Sequence, residues 1–464
     1  MIKARRKNSS RLSRTTLLLG TLLIFGCASA PVDQIDLMPA PDVYGNGMLN
    51  PLPEFNPFVD MPYDGILYAT DRRPATTDDP EKYYLNDRGH ILRLGVAGVD
   101  LGEKQFAWEK ARVISMLKSR TEKYPVRVRN ADEWGLLGST VPYWVDVDLQ
   151  FKSQAPPDAT DRYAAAINAQ LAHSGSKDVY IYVHGYKVVY ENPVLVAAEL
   201  WHFLGYKGAF IAYAWPSTPS KFAYIKDSDT SSGFARNFRL LLEFLAEKTD
   251  AERIHVVGYS NGTRLVTRAM EQLALMNHDK TADEIFDKLH IENVILVGSD
   301  LDRGVFSSYV SDGLFKISRH LNIYMSKYDK ALGVSQFLTR RQRLGQMFGG
   351  AGGDMTPSGR KFISQNRERL ILINVSDAEG AGTGNGHGYF RNSPWASSDI
   401  LMTLTYGLSP EQRGLLEQED FPVFTFPPDY IARLWEAIED VDPVFAERYR
   451  AFKAAEAAQA EASQ

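Results

Sequence analysis

Between residues 160 and 375, short and almost wholly apolar runs alternate with stretches whose apolar residues recur every three or four positions. The runs are Val179 to Val183, Ala209 to Trp215, Ile254 to Val257, Asn293 to Val297, Ile323 to Met325 and Leu370 to Val375. Their length suits strands, and a strand apolar on both faces must be covered on both. The intervening stretches predict helices at Asp161 to Ala172, from Asn192-Pro193 to about Leu204, and from Ser231 or Ser232 to Glu247. Asn192-Pro193 is in the favoured order of an N-cap followed by a first-turn proline. After Gly262, Leu265, Ala269 and Leu273 recur at four-residue spacing with Val266 and Met270 beside them, which makes one buried stripe. Strand and helix in alternation predict an α/β fold, a mostly parallel sheet with helices on both faces. In such sheets function gathers at the carboxyl ends of the strands.

The flanks are less regular. Gly65 to Thr70, Ile91 to Val99 and Val141 to Leu149 read as strands, the last with Asp146 and Asp148 on a wet face. Lys104 to Glu122 has helical composition between them. Residues 61–150 are therefore expected to form a strand layer joined to the main sheet. Residues 27–60, rich in Pro, Asp, Asn and Gly, read as a flexible tether. Gly349 to Gly359 is a Gly-rich insertion, either a lid or a surface loop; it lacks the lysine of a phosphate-binding loop. Tyr430 to Ile438 and Pro443 to Ala451 read as closing helices, and Ala454 to Gln464 as a frayed tail.

Composition changes the picture mainly at the N-terminus. The 464 residues, 44% hydrophobic and 23% charged, are enough for one large elaborated domain. Six basic residues from Lys3 to Arg14 precede an apolar run from Leu17 to Phe25 that is too short to span a membrane and has the length of a signal sequence. Cys27, the sole cysteine, follows directly in Ile24-Phe25-Gly26-Cys27, which resembles the lipobox of bacterial lipoproteins. The alternative is an ordinary secretory signal cut after Ala28 or Ala30. Loss of residues 1–26 leaves 46 basic and 57 acidic residues, a net charge of −11. Such a body has no basic stripe for nucleic acid and is not expected to be drawn to an anionic bilayer by its own surface, so a lipid on Cys27 would supply the membrane attachment.

The chemistry centres on Gly258-Tyr259-Ser260-Asn261-Gly262. A G-x-S-x-G motif between a strand and a helix is a nucleophile elbow, a sharp turn that exposes a serine hydroxyl above the sheet. A serine needs a base held by a third group, and the elbow arrangement orders them serine, acid, histidine. His290 and His320 precede strands and so sit at the wrong edge, and His278 lies near a helix end; His387, on a glycine-rich loop after a strand, is the expected base. Asp300, Asp302, Asp329 and Asp377 all follow strands. Asp329 is the expected acid and Asp300 the alternative, with Asp302 and Asp377 read as turn or capping residues. The backbone N–H groups of Asn261 and Tyr186 are expected to form the oxyanion hole, with His184 bracing the loop.

Val183-His184-Gly185-Tyr186, Ala214-Trp215-Pro216-Ser217 and Gly258 to Gly262 together resemble a bacterial family of unknown function in the α/β-hydrolase, esterase/lipase superfamily. Tyr68 to Arg72, Ser326 to Leu332 and Gly386 to Phe390 extend the resemblance over roughly residues 65 to 400. Asn261 and Gly388 depart from the methionine and serine that many members carry there. The resemblance implies an α/β-hydrolase fold over 61–405, between a signal peptide (1–26) with its tether (27–60) and closing helices with a frayed tail (406–464). It implies the serine-hydrolase mechanism but not the reaction; the expected reaction is hydrolysis of a small-molecule or lipid carboxylic ester, with no cofactor or metal. Amide hydrolysis, acyl transfer and an idle envelope scaffold are the rivals. Lipidation of Cys27, followed by Ala28, is expected to place the protein at the outer membrane facing the periplasm.

Overall fold

The computed structural model describes residues 33–102, 106–144, 156–347, 356–419 and 421–462. Among them, twelve strands form one sheet. In chain order they are β1 (Gln34–Asp36), β2 (Ile66–Pro74), β3 (Tyr84–Leu101), β4 (Pro125–Leu136), β5 (Asp178–Val183), β6 (Ala209–Ala214), β7 (Arg253–Tyr259), β8 (Ile291–Val297), β9 (His320–Met325), β10 (Leu370–Asn374), β11 (Leu416–Gln418) and β12 (Phe421–Thr425). Their spatial order is β1-β4-β3-β2-β6-β5-β7-β8-β9-β10-β12-β11. The pairings from β2 through β12 are all parallel. β1, β4 and β3 add antiparallel strands at one edge and β11 at the other.

The apolar runs predicted β5 to β10. Every residue of β5 and β6 is buried, as a centrally placed strand covered on both faces requires. The helix Gly262–Met276 buries Leu265, Val266, Ala269, Met270 and Leu273, the stripe expected of it.

Several expectations are corrected. The 27–60 tether does not hold for its described part. Gln34 to Asp36 pairs with β4, and Met38, Val43 and Tyr44 are buried. The clasp is electrostatic as well as apolar: Glu199 accepts from the Met38 N–H and pairs with Arg391, whose guanidinium also donates to the Asp36 carbonyl. The Val141 to Leu149 strand is a turn up to Trp144, and residues 145–149 lie outside the described residues. The third strand of the layer is β4 instead, whose arginines and acidic residues hid its alternation. The helix expected to be capped by Asn192 starts two residues earlier, with Tyr190 at its N-cap and Glu191 as its first residue. Ser231 and Ser232 end the helix Tyr224–Gly233 rather than capping the next one, Ala235–Lys248. Residues 406–464 also supply β11 and β12, and the tail is helical through Ala462. Of the Gly349 to Gly359 insertion, residues 349–355 lie outside the described residues; Thr356 caps the helix Pro357–Gln365. The signal segment and Cys27 also lie outside them.

One buried carboxyl ties the edge layer to the parallel sheet. Asp71 Oδ1 accepts from Asn237 Nδ2 at 2.6 Å and Oδ2 accepts from the Tyr213 hydroxyl. Burial pushes its pKa up to about 7, against the pull of those two donors. A carboxyl whose folded pKa is raised contributes stability below its unfolded pKa and loses it as pH rises through the folded one. Wild-type protein is therefore expected to lose thermal stability relative to Asp71→Asn between about pH 4 and pH 7. Parallel melting curves across that range check it.

Candidate active site

β7 ends at Tyr259, and Ser260 then turns the chain into the helix Gly262–Met276. Ser260 has φ +52°, a left-handed conformation costing about 1–2 kcal/mol for a residue with a Cβ. Its N–H donates to the Val297 carbonyl on β8, and its carbonyl accepts from the Thr263 hydroxyl at 2.6 Å, so both sides of the turn are tied down. The elbow leaves no room at Gly262: a Cβ there would lie 2.2 Å from the His184 carbonyl oxygen. Strand β5, its following loop and the elbow can meet only through that hydrogen.

His387 Nε2 lies 2.8 Å from Ser260 Oγ, and its Nδ1 lies 2.7 Å from Asp329 Oδ2. All three residues are buried. Asp329 follows β9, caps the helix Lys330–Thr339 and accepts from the Leu332 N–H through its other oxygen. The histidine loop is sewn to that helix, since the Lys330 N–H donates to the Asn385 carbonyl. The Tyr259 ring packs on the imidazole with centroids 4.9 Å apart. The structure thus brings together the serine, histidine and first-choice aspartate named from the sequence.

The alternative acid is engaged elsewhere. Asp300 accepts from the Tyr224 hydroxyl at 2.7 Å and the Ser335 hydroxyl at 2.5 Å. Arg343 and Arg264 stand 3.4 and 3.6 Å from its oxygens. His387 is not among these partners, so Asp300 serves as an anchor between elements. Asp302 caps the helix Arg303–Ser311, as its capping reading required, and Asp377 is exposed beside Lys327. His278 is exposed, His290 directly precedes β8, and His320 is the first residue of β9 rather than preceding it, so both lie at the amino ends of their strands, opposite Ser260.

Around the serine, among the described residues, the backbone N–H groups of Asn261 and Tyr186 donate to no protein acceptor. The Asn261 side chain is held by Ser231 and Ser228, which fixes the peptide that carries its N–H. His184 stacks on Trp215 with ring planes 3° apart, and its two nitrogens face the Gly185 and Trp215 carbonyls at 2.6 and 3.0 Å. Burial holds its pKa well below the usual histidine value, so it stays neutral and braces the loop.

Two supporting residues were not picked out from the sequence. Tyr389 accepts from the Gly298 N–H at 2.7 Å and donates to the Tyr324 carbonyl at 2.8 Å, locking the ends of β8 and β9 two residues beyond His387. Gly298 itself has φ +52°, and a Cβ there would lie 3.1 Å from His387 Cε1 and 3.4 Å from Asp329 Oδ2. The signal was its place directly after an apolar strand. Gly298→Ala is expected to cost about 1–2 kcal/mol of stability from its φ alone. It should also lower activity by displacing the imidazole, whereas Gly313→Ala, with φ +95° on an open surface, should cost stability only. Melting temperature and turnover measured on both variants check this.

No cluster of three or more histidine, cysteine, aspartate or glutamate side chains suited to a metal ion occurs among the described residues. The run β6-β5-β7-β8-β9-β10 in parallel, with an elbow serine after β7, defines the α/β-hydrolase fold. The chain belongs to the family described as alpha/beta hydrolase of unknown function (DUF900), whose model matches residues 159–403. No curated protein and no solved structure matches it.

Proposed function

We propose that the protein is a serine hydrolase that cleaves a carboxylic ester with Ser260, His387 and Asp329. The observation that carries the reading is the continuous chain from Ser260 Oγ to His387 Nε2 at 2.8 Å and from His387 Nδ1 to Asp329 Oδ2 at 2.7 Å. In this reading Ser260 Oγ attacks the acyl carbonyl carbon while His387 Nε2 takes its proton. Asp329 stabilises the imidazolium and fixes its orientation. The Asn261 and Tyr186 N–H groups receive the charge that develops on the carbonyl oxygen. The intermediate collapses, and the alcohol leaves with the proton from His387. Water, deprotonated by the same imidazole, then releases the acid and regenerates the serine.

A panel of soluble p-nitrophenyl esters of varied acyl length tests the reading. Turnover that depends on Ser260 supports it. Turnover of amides alone, or transfer to an added alcohol with no hydrolysis, would move the assignment to an amidase or acyltransferase. No turnover at all would favour an idle scaffold.

We further propose a lipid-anchored location in the cell envelope, in the outer membrane facing the periplasm. The basic segment, the short apolar run and the sole cysteine at position 27 support it. Each buried CH₂ of an acyl chain contributes about 0.8 kcal/mol, and a doubly or triply acylated cysteine holds firmly. Wild-type protein is expected in the membrane fraction with an N-terminus at Cys27 carrying acyl mass, and Cys27→Ser in the soluble or uncleaved pool. An unmodified N-terminus beyond residue 27 on a soluble protein would leave plain secretion.

A further inference from the structure

Large apolar side chains stand in solvent on two elements beside the serine. Phe222 is 90% exposed and Ile225 follows it at the start of the helix Tyr224–Gly233. Val334, Phe337 (83% exposed) and Leu338 lie at i, i+3 and i+4 on one face of the helix Lys330–Thr339. Surface apolar residues scattered singly need no explanation, but a contiguous group does. The Tyr224 hydroxyl lies 2.7 Å from Ser335 Oγ, which ties the two elements side by side. Both also touch the site. Tyr224 packs edge-on against Tyr186 at 5.7 Å, Ser228 and Ser231 hold the Asn261 side chain, and Asp329 caps the second helix. The apolar group therefore stands on the two elements that hold the Asn261 side chain and carry Asp329.

Its charge is opposite to that of the whole chain. From Lys330 to Met347 the chain carries Lys330, Arg340, Arg341 and Arg343 and no acidic residue. Arg343 is buried against Asp300, while Lys330, Arg340 and Arg341 are exposed and, among the described residues, unpaired. An apolar helix face flanked by free cations matches an anionic lipid surface, with hydrocarbon contact for the ring and leucine and phosphate for the cations. A water-soluble substrate asks for neither feature.

We propose that this rim docks the catalytic mouth on an anionic lipid surface, so that the ester is presented from the lipid rather than taken from solution. The proposal rests on the serine-hydrolase reading for its chemistry, but docking itself needs no catalysis. The acidic net charge of the chain is then compatible with local attraction, because exposed charges beyond about 8–10 Å are screened at physiological salt.

The sole native cysteine makes a site-specific test possible. In full-length Cys27→Ser protein, an environment-sensitive fluorophore is placed at Phe337→Cys or at Asp279→Cys. Asp279 is exposed beyond the far end of the helix that begins at Gly262. With phosphatidylglycerol/phosphatidylcholine vesicles the label at 337 should shift to the blue while that at 279 does not. Pure phosphatidylcholine should give a weaker response, and Arg340→Glu/Arg341→Glu should cut partitioning at least tenfold. No shift at 337, an equal shift at 279, an equal response to both lipids, or a shift on self-association without vesicles would overturn the proposal. Fluorophosphonate labelling of the Asp279→Cys protein, whose rim is unaltered, reports separately on Ser260. Insertion without labelling removes the hydrolase reading and leaves docking, and labelling without insertion does the reverse.

Discussion

Ser260→Ala is expected to lower kcat on a soluble ester by on the order of a millionfold. Alanine cannot form the acyl-enzyme bond, and His387 loses the proton donor 2.8 Å from its Nε2. Stability should hardly change. Alanine keeps the Cβ, so the cost of φ +52° stays, and the loss is one hydrogen bond, about 1 kcal/mol. In a chain of this size that moves the melting temperature by about 2 °C. Loss of activity with an intact melt isolates chemistry from folding. A variant that retained turnover would place the nucleophile elsewhere.

Asp329→Asn is expected to lower kcat by about 10⁴-fold, because an amide in place of Oδ2 no longer accepts from His387 Nδ1 and favours the wrong tautomer. Asp300→Asn makes the contrast. Its carboxylate is buried beside Arg343 and Arg264, and removing one partner of a buried pair costs about 3–5 kcal/mol. Asp300→Asn should thus melt early yet keep the turnover of its folded fraction, while Asp329→Asn should lose turnover. Kinetics and melting curves on both variants separate the two roles, and the opposite pattern would move the acid to the strand next to the nucleophile.

The parallel half of the sheet was legible because burial on both faces writes itself as apolar runs, and β5 and β6 carry no exposed position to obscure it. The serine and histidine were legible for a related reason: a turn that tight demands its glycines, and of the histidines that follow Ser260 topology leaves one at the correct edge. The choice between Asp329 and Asp300 was not. Both follow strands, and what separates them is a side-chain network involving Tyr224, Ser335 and Arg343, residues 35 to 76 positions away from Asp300 in sequence. The edge layer was hidden in a different way. β4 turns Arg127, Arg129 and Asp132 to solvent, and Asp36 and Met38 are held by Arg391 and Glu199, partners that no local pattern reveals. Gly298 shows the limit most sharply, since its need for a bare backbone arises only where His387 comes to rest against it.

The central claim is that Ser260 is a nucleophile activated by His387. Its most direct test is peptide mapping by mass spectrometry after treatment with a fluorophosphonate. One adduct per chain is expected, on the peptide carrying Gly258-Tyr259-Ser260-Asn261-Gly262, formed fast in wild-type protein and lost in His387→Ala. An adduct on another serine, or none on a folded wild-type chain, would contradict it.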